Sequence, residues 1–207
     1  MTAQKIKKIL KGPGIGGFTL VELLIVIALL GVIALIVIAA INPIEQANRA
    51  RDTRFKADGA QLISATDRYF TAFSEFPWVT PAASAYTNDS SFGFVTANDI
   101  GVGLCGDATC STDGLLITSD ELKSEFADRD FISATSPDKQ LFIGKAAGTS
   151  ESIYACYIPA SKANRAKSNT AGKVYSIDAS GGRTAKTCDP DLAWDTAGSE
   201  CYVCIPE

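Results

Sequence analysis

The 24 residues from Phe18 to Ile41, "FTLVELLIVIALLGVIALIVIAAI", carry one charged side chain, Glu22. About 20 apolar residues rising ~1.5 Å each span the hydrocarbon core of a bilayer as a helix, so this run is long enough to cross one. A charged side chain inside hydrocarbon costs several kcal/mol by most estimates, and it is usually there for a function. All charges ahead of the run are basic, Lys5, Lys7, Lys8 and Lys11. That asymmetry keeps the N-terminus cytoplasmic and sends the bulk of the chain outward. A secretory signal peptide is the competing reading, but its apolar core is about 7–15 residues and its small-residue cleavage site follows the core. Here the run is longer, and the small residues Gly14, Gly16 and Gly17 precede it. A cut at those glycines leaves the apolar segment on the mature protein.

The remaining composition excludes several classes. A chain of 207 residues suits one domain plus an appendage. Without the four N-terminal lysines, 15 basic residues stand against 23 acidic ones, which argues against broad nucleic-acid binding by the exported portion. There is no histidine, so His-dependent triads, His-ligated metals and imidazole acid–base chemistry are excluded. No nucleophile–base or metal constellation survives inspection, so neither an enzyme nor a cofactor is expected.

A basic leader ending "GIGG", followed by "FTLVELLIVIALLGVIA", resembles a type IV prepilin, the class that also holds pseudopilins of type II secretion and DNA-uptake filaments. The resemblance implies that a prepilin peptidase cuts after Gly17 and that the new N-terminus, Phe18, is methylated. Glu22 then stands fifth in the mature chain, and Gly31 matches the family's usual glycine at the fourteenth mature position. In that family the glutamate lies opposite the N-terminal amine of a neighbouring subunit in the filament. An unpaired carboxylate among packed apolar helices would be strongly destabilising, so the pair serves as a register device more than a source of stability.

The helix is expected to continue past the membrane run. Phe55, Gly59, Leu62, Thr66, Tyr69 and Phe73 recur at helical spacing and mark a face that seats the helix on a globular head. Glu45–Arg49 and Asp52–Lys56 are acid-first pairs four apart that support an exposed face. A helix over 18–74 would be about 85 Å long. Asn42-Pro43 interrupts it, so a kink or opened turn is expected between Gly31 and Pro43. Many pilins carry this proline at the twenty-second mature position, whereas Pro43 is the twenty-sixth.

Beyond "YFTAFSEFPW", similar to the family's exit from the first helix, short β-prone runs read as strands: "SFGFVT", "QLFIGKA", "SIYACYIP" and "KVYSIDA". "DASGGR" is turn chemistry, and "SDELKSEFADRDF" (Ser119 to Phe131) reads as a second, short helix. The fold class is α+β and pilin-like, a long N-terminal helix on a small antiparallel sheet. The expected organisation is a cleaved leader over 1–17, a transmembrane and assembly helix over 18–41, its amphipathic continuation over 42–74, and the head over 75–207.

Six cysteines in a domain facing an oxidising space read as disulfides, with fifteen possible pairings. Cys105 and Cys110 flank a short turn and suit a local bridge. If "ECYVCI" is a strand, Cys201 and Cys204 lie about 10 Å apart on opposite faces, beyond the reach of one bond. That leaves Cys156 and Cys188 as their partners. Cys188–Cys201, closing "DPDLAWDTAGSE", with Cys156–Cys204 is the favoured assignment; a C-terminal disulfide-bounded loop is common in pilin heads. The rival reading takes Cys201-x-x-Cys204, with Cys105 and Cys110, as a zinc site or a redox centre. "GVGLCG" satisfies G-x-G-x-x-G but is followed by turn residues, so it reads as flexible turns rather than a nucleotide site. Asp189, Asp191 and Asp195 are weak calcium candidates, as some related pseudopilins bind calcium near their C-termini. Asn88-Asp89-Ser90 matches a glycosylation sequon.

Residues 160–187 hold six basic side chains against Asp178, and residues 107–130 hold seven acids against Lys123 and Arg129. Solvated loops explain both; head-to-head attraction between subunits is the sharper reading. What the resemblance implies is a structural subunit, stored in the cytoplasmic membrane with its head outward and polymerised into an extracellular filament. Its partners would be other copies of itself, the prepilin peptidase, and an inner-membrane assembly platform with its ATPase. The retained Glu22 leans towards a major or frequently incorporated subunit. The alternatives are a pseudopilin of type II secretion, a DNA-uptake filament subunit, or an unpolymerised membrane-anchored binding module.

Overall fold

The computed structural model describes residues 16–40, 42–79 and 86–207. The four basic residues of the expected leader, and Ile41, lie outside the described residues. The chain divides into two compact units, one up to Pro43 and one from Ile44 onward.

The first unit is helix α1, Leu20–Ala40. The helix is apolar all round, and from Leu20 to Ile38 every side chain is exposed, so nothing among the described residues of its unit covers it. Such a surface belongs in hydrocarbon or among other helices. There, helical geometry is what satisfies each backbone N–H and C=O without water. α1 runs unbroken through Gly31, and helix α2 opens at Pro43, so the interruption expected between Gly31 and Pro43 falls after Ala40. Pro43 occupies the first position of α2, where its missing N–H removes no helical bond.

The second unit is the head. α2 spans Pro43–Phe73 and buries Asp52, Phe55, Asp58, Gly59, Leu62, Ala65, Thr66 and Tyr69. Strands β1 (Phe92–Thr96), β2 (Phe142–Lys145) and β3 (Ile153–Tyr157) pair antiparallel in that order. Between β1 and β2 lie the short helices α3 (Leu115–Thr118) and α4 (Asp130–Ser133). After β3 come helix α5 (Lys162–Thr170), the hairpin β4 (Tyr175–Ile177) and β5 (Arg183–Ala185), and strand β6 (Val203–Ile205). β6 pairs with β3, giving an open sheet of order β1-β2-β3-β6 without barrel closure. This is a pilin-like α+β head.

α2 lies directly on the sheet. At Gly59 an added Cβ would stand 3.0 Å from the Ala155 Cβ and 3.2 Å from the Ile205 side chain, so glycine sets how closely helix and strands approach. Four residues earlier, Phe55 stacks on Tyr157 with ring centroids 5.6 Å apart. Beyond the sheet-facing residues, a stack of Phe70, Phe76, Trp78 and Phe92 carries the core to β1, each neighbouring pair 4.4–4.6 Å apart.

Three expectations need correction. Phe73, the end of the predicted stripe, is 55% exposed, because α2 terminates there and the ring leans on Tyr69 instead. The helix expected over Ser119 to Phe131 is broken: Asp120 has φ 61°, and Lys123 and Arg129 adopt extended backbone. What remains is a 3-10 turn over Ser124–Phe126 and the four-residue α4. The run buries Leu122, Phe126 and Phe131 separately, so no single helical face could serve all three. Asp52 is not on an exposed face but fully buried, and Lys56 pairs with Glu207 at 2.5 Å instead.

Candidate functional site

The start of α1 answers why the apolar run tolerates a glutamate. Thr19 precedes the helix, and Glu22 is its third residue. The Thr19 hydroxyl accepts from the Glu22 N–H at 3.2 Å, and Glu22 Oε2 accepts from the Thr19 N–H at 2.9 Å and from its hydroxyl at 2.7 Å. This is a capping box, which satisfies two otherwise orphaned N–H groups reciprocally. The acid also sits at the positive end of the helix dipole. The carboxylate therefore has partners within its own chain. Thr19 escaped the sequence reading, although T-x-x-E ahead of an apolar run is a recognised helix-start signal. Next to the box, Phe18 is 80% exposed, and nothing lies within 4 Å of where a Cβ would sit at Gly17 or Gly31. Thus Gly17, Phe18 and Glu22 form one accessible cluster, while Gly31 and Pro43 lie further along.

The first three turns of α2 show the same chemistry turned inward. Asp52 Oδ1 accepts from the Ala160 N–H at 2.8 Å, while Oδ2 accepts from the Ser161 N–H at 3.1 Å and the Asn164 amide at 2.8 Å. Glu45 takes the next two donors, the N–H groups of Lys162 and Ala163, each at 3.2 Å. Ser161 completes the set by accepting from Asn164 N–H at 3.2 Å. The N-terminus of α5 is thus capped by two carboxylates of α2, and the Ser161 hydroxyl bond holds Glu45 below the usual carboxylate range. α5 buries none of its own residues, so these polar contacts position it. It was missed because residues 160–187 read as a charge strip; Ser161 ahead of helix-forming residues was the available signal.

That strip is largely consumed internally. Lys162 pairs with Asp191 at 3.2 Å, Lys173 with Glu207 at 3.1 Å, and Lys186 donates to the Ser199 and Glu200 carbonyls. Arg165 donates to the Pro159 and Leu192 carbonyls, and Arg183 lies over the Tyr154 and Tyr175 rings. Lysines 56 and 173 hydrogen-bond Glu207 and hold its carboxyl down to about 2. Five of the six cations are thus engaged within the head, so head-to-head attraction through the strip is weaker than their number suggests.

Lys145 was also unforeseen. It is fully buried at the end of β2, where its ammonium donates to the carbonyls of Asn88, Ala146 and Gly148 and lies 5.3 Å from the Phe76 ring centroid. Burial lowers its pKa, against the opposing pull of Asp89 and Glu151. Nearby, the Asn88 side chain accepts from Phe76 N–H and donates to the Ser74 carbonyl, so the sequon asparagine is engaged in turn structure.

The cysteines form Cys105–Cys110, Cys156–Cys204 and Cys188–Cys201, leaving no thiolate for zinc or redox chemistry. Among the described residues no group of three His, Cys, Asp or Glu could hold a metal. Of the calcium candidates, Asp191 pairs with Lys162, and Asp189 accepts from the Asp191 N–H at 2.9 Å. "GVGLCG" opens with a 3-10 turn, Ile100–Val102, in place of the helix a nucleotide fingerprint requires.

The family model for the prokaryotic N-terminal methylation motif matches residues 14–38. The chain carries the methylation signature of pilin-like proteins. Neither a curated protein nor a solved structure matches it. The matched segment covers the capping box and nearly all of α1, whose 19 residues from Leu20 to Ile38 are long and apolar enough to cross a membrane. Signature, apolar helix and head together mark a pilin-like, membrane-anchored structural module.

Proposed function

We propose that this pilin-like chain is a filament subunit. It is stored in the cytoplasmic membrane after cleavage behind Gly17 and polymerised through α1, with the methylated Phe18 amine and Glu22 as the assembly pair. Gly31 and Pro43 serve as assembly positions along the same segment. The observation that carries this reading is an apolar helix bare on every side and introduced by Gly17-Phe18-Thr19-Leu20-Val21-Glu22. A mere anchor needs no carboxylate at its start, whereas a packed bundle of such helices needs a register device.

The capping box gives Glu22 two alternative lives. In the stored subunit its carboxylate is satisfied by Thr19 of the same chain. Cleavage behind Gly17 creates an amine one residue from that N–H, and in the polymer a neighbour's amine takes up the charge. The partners this implies are further copies of the chain, a prepilin peptidase, and an inner-membrane assembly platform with its ATPase. The head then faces outward, first at the membrane and later along an extracellular filament. Mass spectrometry of the mature protein tests the processing step: its first residue should be N-methylated Phe18. A chain beginning elsewhere, or retaining the leader in filaments, would remove the assembly amine and the proposal with it.

A further inference from the structure

The head presents one knob and one socket. In the described part of the head beyond the first turn of α2, Leu192 is the most exposed large apolar residue, at 63%. Its loop is nevertheless fixed. The Cys188–Cys201 disulfide closes the loop, and Trp194 is buried and donates through Nε1 to the Asp189 carbonyl at 2.8 Å. Arg165 donates to the Leu192 carbonyl itself at 2.8 Å. An apolar side chain held out on an ordered backbone has little further entropy to lose on binding, the property of a preorganised anchor.

The socket is a cavity of about 300 Å³ where α2 meets the segment from Asp128 to Lys139. Phe55 and Phe131, both largely buried, line it among four basic side chains (Arg51, Arg54, Arg129 and Lys139) and three acids (Asp58, Asp128 and Asp130). Arg54 stands 3.9 Å from Asp130 and Arg129 3.5 Å from Asp58, which leaves a basic excess of one. The knob carries the complementary set. Asp189, Asp191 and Asp195 flank Leu192 along the loop, and Lys162 pairs with Asp191 at 3.2 Å, which leaves an acidic excess of two.

We propose that Leu192 of one copy docks into the Phe55–Phe131 cavity of a second copy, with Asp191 and Asp195 facing Arg54 and Lys139. A surface knob that fits a pocket elsewhere on the same molecule makes a head-to-tail contact, and such contacts build open helical filaments when the rotation does not close. The inference rests on the filament reading and adds the head contact to it.

A photo-crosslinking residue placed at position 192 of the full chain tests it, with the crosslinked peptides mapped by mass spectrometry in filaments and in detergent-solubilised membranes. Crosslinks to residues 51–58 or 128–139 of another copy are expected. Leu192→Asp should lower sheared-filament yield roughly tenfold or more, the scale of losing one buried anchor, with an unchanged membrane pool. Leu192→Ala, which adds no charge, should lower it in the same direction. Filaments whose crosslinks from position 192 map elsewhere would overturn the docking and leave the polymer standing. Should no filaments form, the polymer reading falls by itself, and the membrane crosslinks still decide the docking: absent from the socket, it is overturned.

Discussion

Glu22 and Asp52 are carboxylates on two successive helices, the third residue of α1 and the tenth of α2, and their surroundings differ sharply. Asp52 is fully buried, and each of its oxygens accepts from the α5 end of the head. Glu22 is exposed on a helix whose side chains from Leu20 to Ile38 are all exposed, and among the described residues its hydrogen bonds are to Thr19. The head therefore completes its own polar accounting, whereas α1 presents a surface that something outside the chain must cover. Stability should respond to changes in the head, and localisation or assembly to changes at the start of α1.

The largest effect belongs to the processing position. Gly17→Val should leave a chain longer by the seventeen-residue leader, seen as a slower band on an immunoblot and as intact mass, while the head still forms its three disulfides. Next is Asp52→Ala, which strands the buried N–H of Ser161 and the partly buried Ala160 N–H and Asn164 amide. Denaturant unfolding of the full chain in detergent should register a loss of about 3–5 kcal/mol, the scale for removing one partner of a buried charged network. Insertion into the membrane should be unaffected; a variant that unfolds normally but fails to insert would erase the contrast between the two helices. Removing the Cys188–Cys201 bridge as a double alanine change should cost about 2–5 kcal/mol, measured in the same way.

The smallest effect is one of pH. The Glu207 carboxyl, ordinarily near 4.5, is held at about 2 by Lys56 and Lys173. A depressed folded pKa contributes stability above the unfolded value and loses it as pH falls through the folded one, so this contribution should fade between about 4.5 and about 2. The pair is solvent-exposed, so the change should stay below about 1 kcal/mol. Glu207→Gln should flatten that part of the stability profile, while a profile identical to wild type would mean that the bridge adds nothing.

The sequence made some of this legible and hid the rest for physical reasons. The apolar run announces itself by its length and unbroken apolarity, and the stripe from Phe55 to Tyr69 because burial on one face imposes a helical period. Strands such as "QLFIGKA" declare themselves by short β-prone runs between turns. Polar roles are harder to read, since a carboxylate looks the same whether it faces water or caps a distant helix. Asp52 was misplaced on a solvated face for that reason: its donors lie more than a hundred residues away. Lys145 was invisible for the same reason, its partners being backbone carbonyls of separate loops. Thr19, by contrast, stood three residues from its partner and was readable from the motif.

The most direct test of polymerisation through Glu22 is the filament yield of Glu22→Leu expressed as the sole copy, measured by shearing cells and imaging the released material. The substitution removes a charge from the apolar segment, so the chain should still insert. Leader removal should persist, because Gly17 is unchanged. Assembly through an amine–carboxylate pair predicts no filaments, since each subunit would bury an unpaired amine at a cost of roughly 3–5 kcal/mol. Normal filaments built from Glu22→Leu alone would contradict it, leaving Glu22 as the helix cap that Thr19 already makes it.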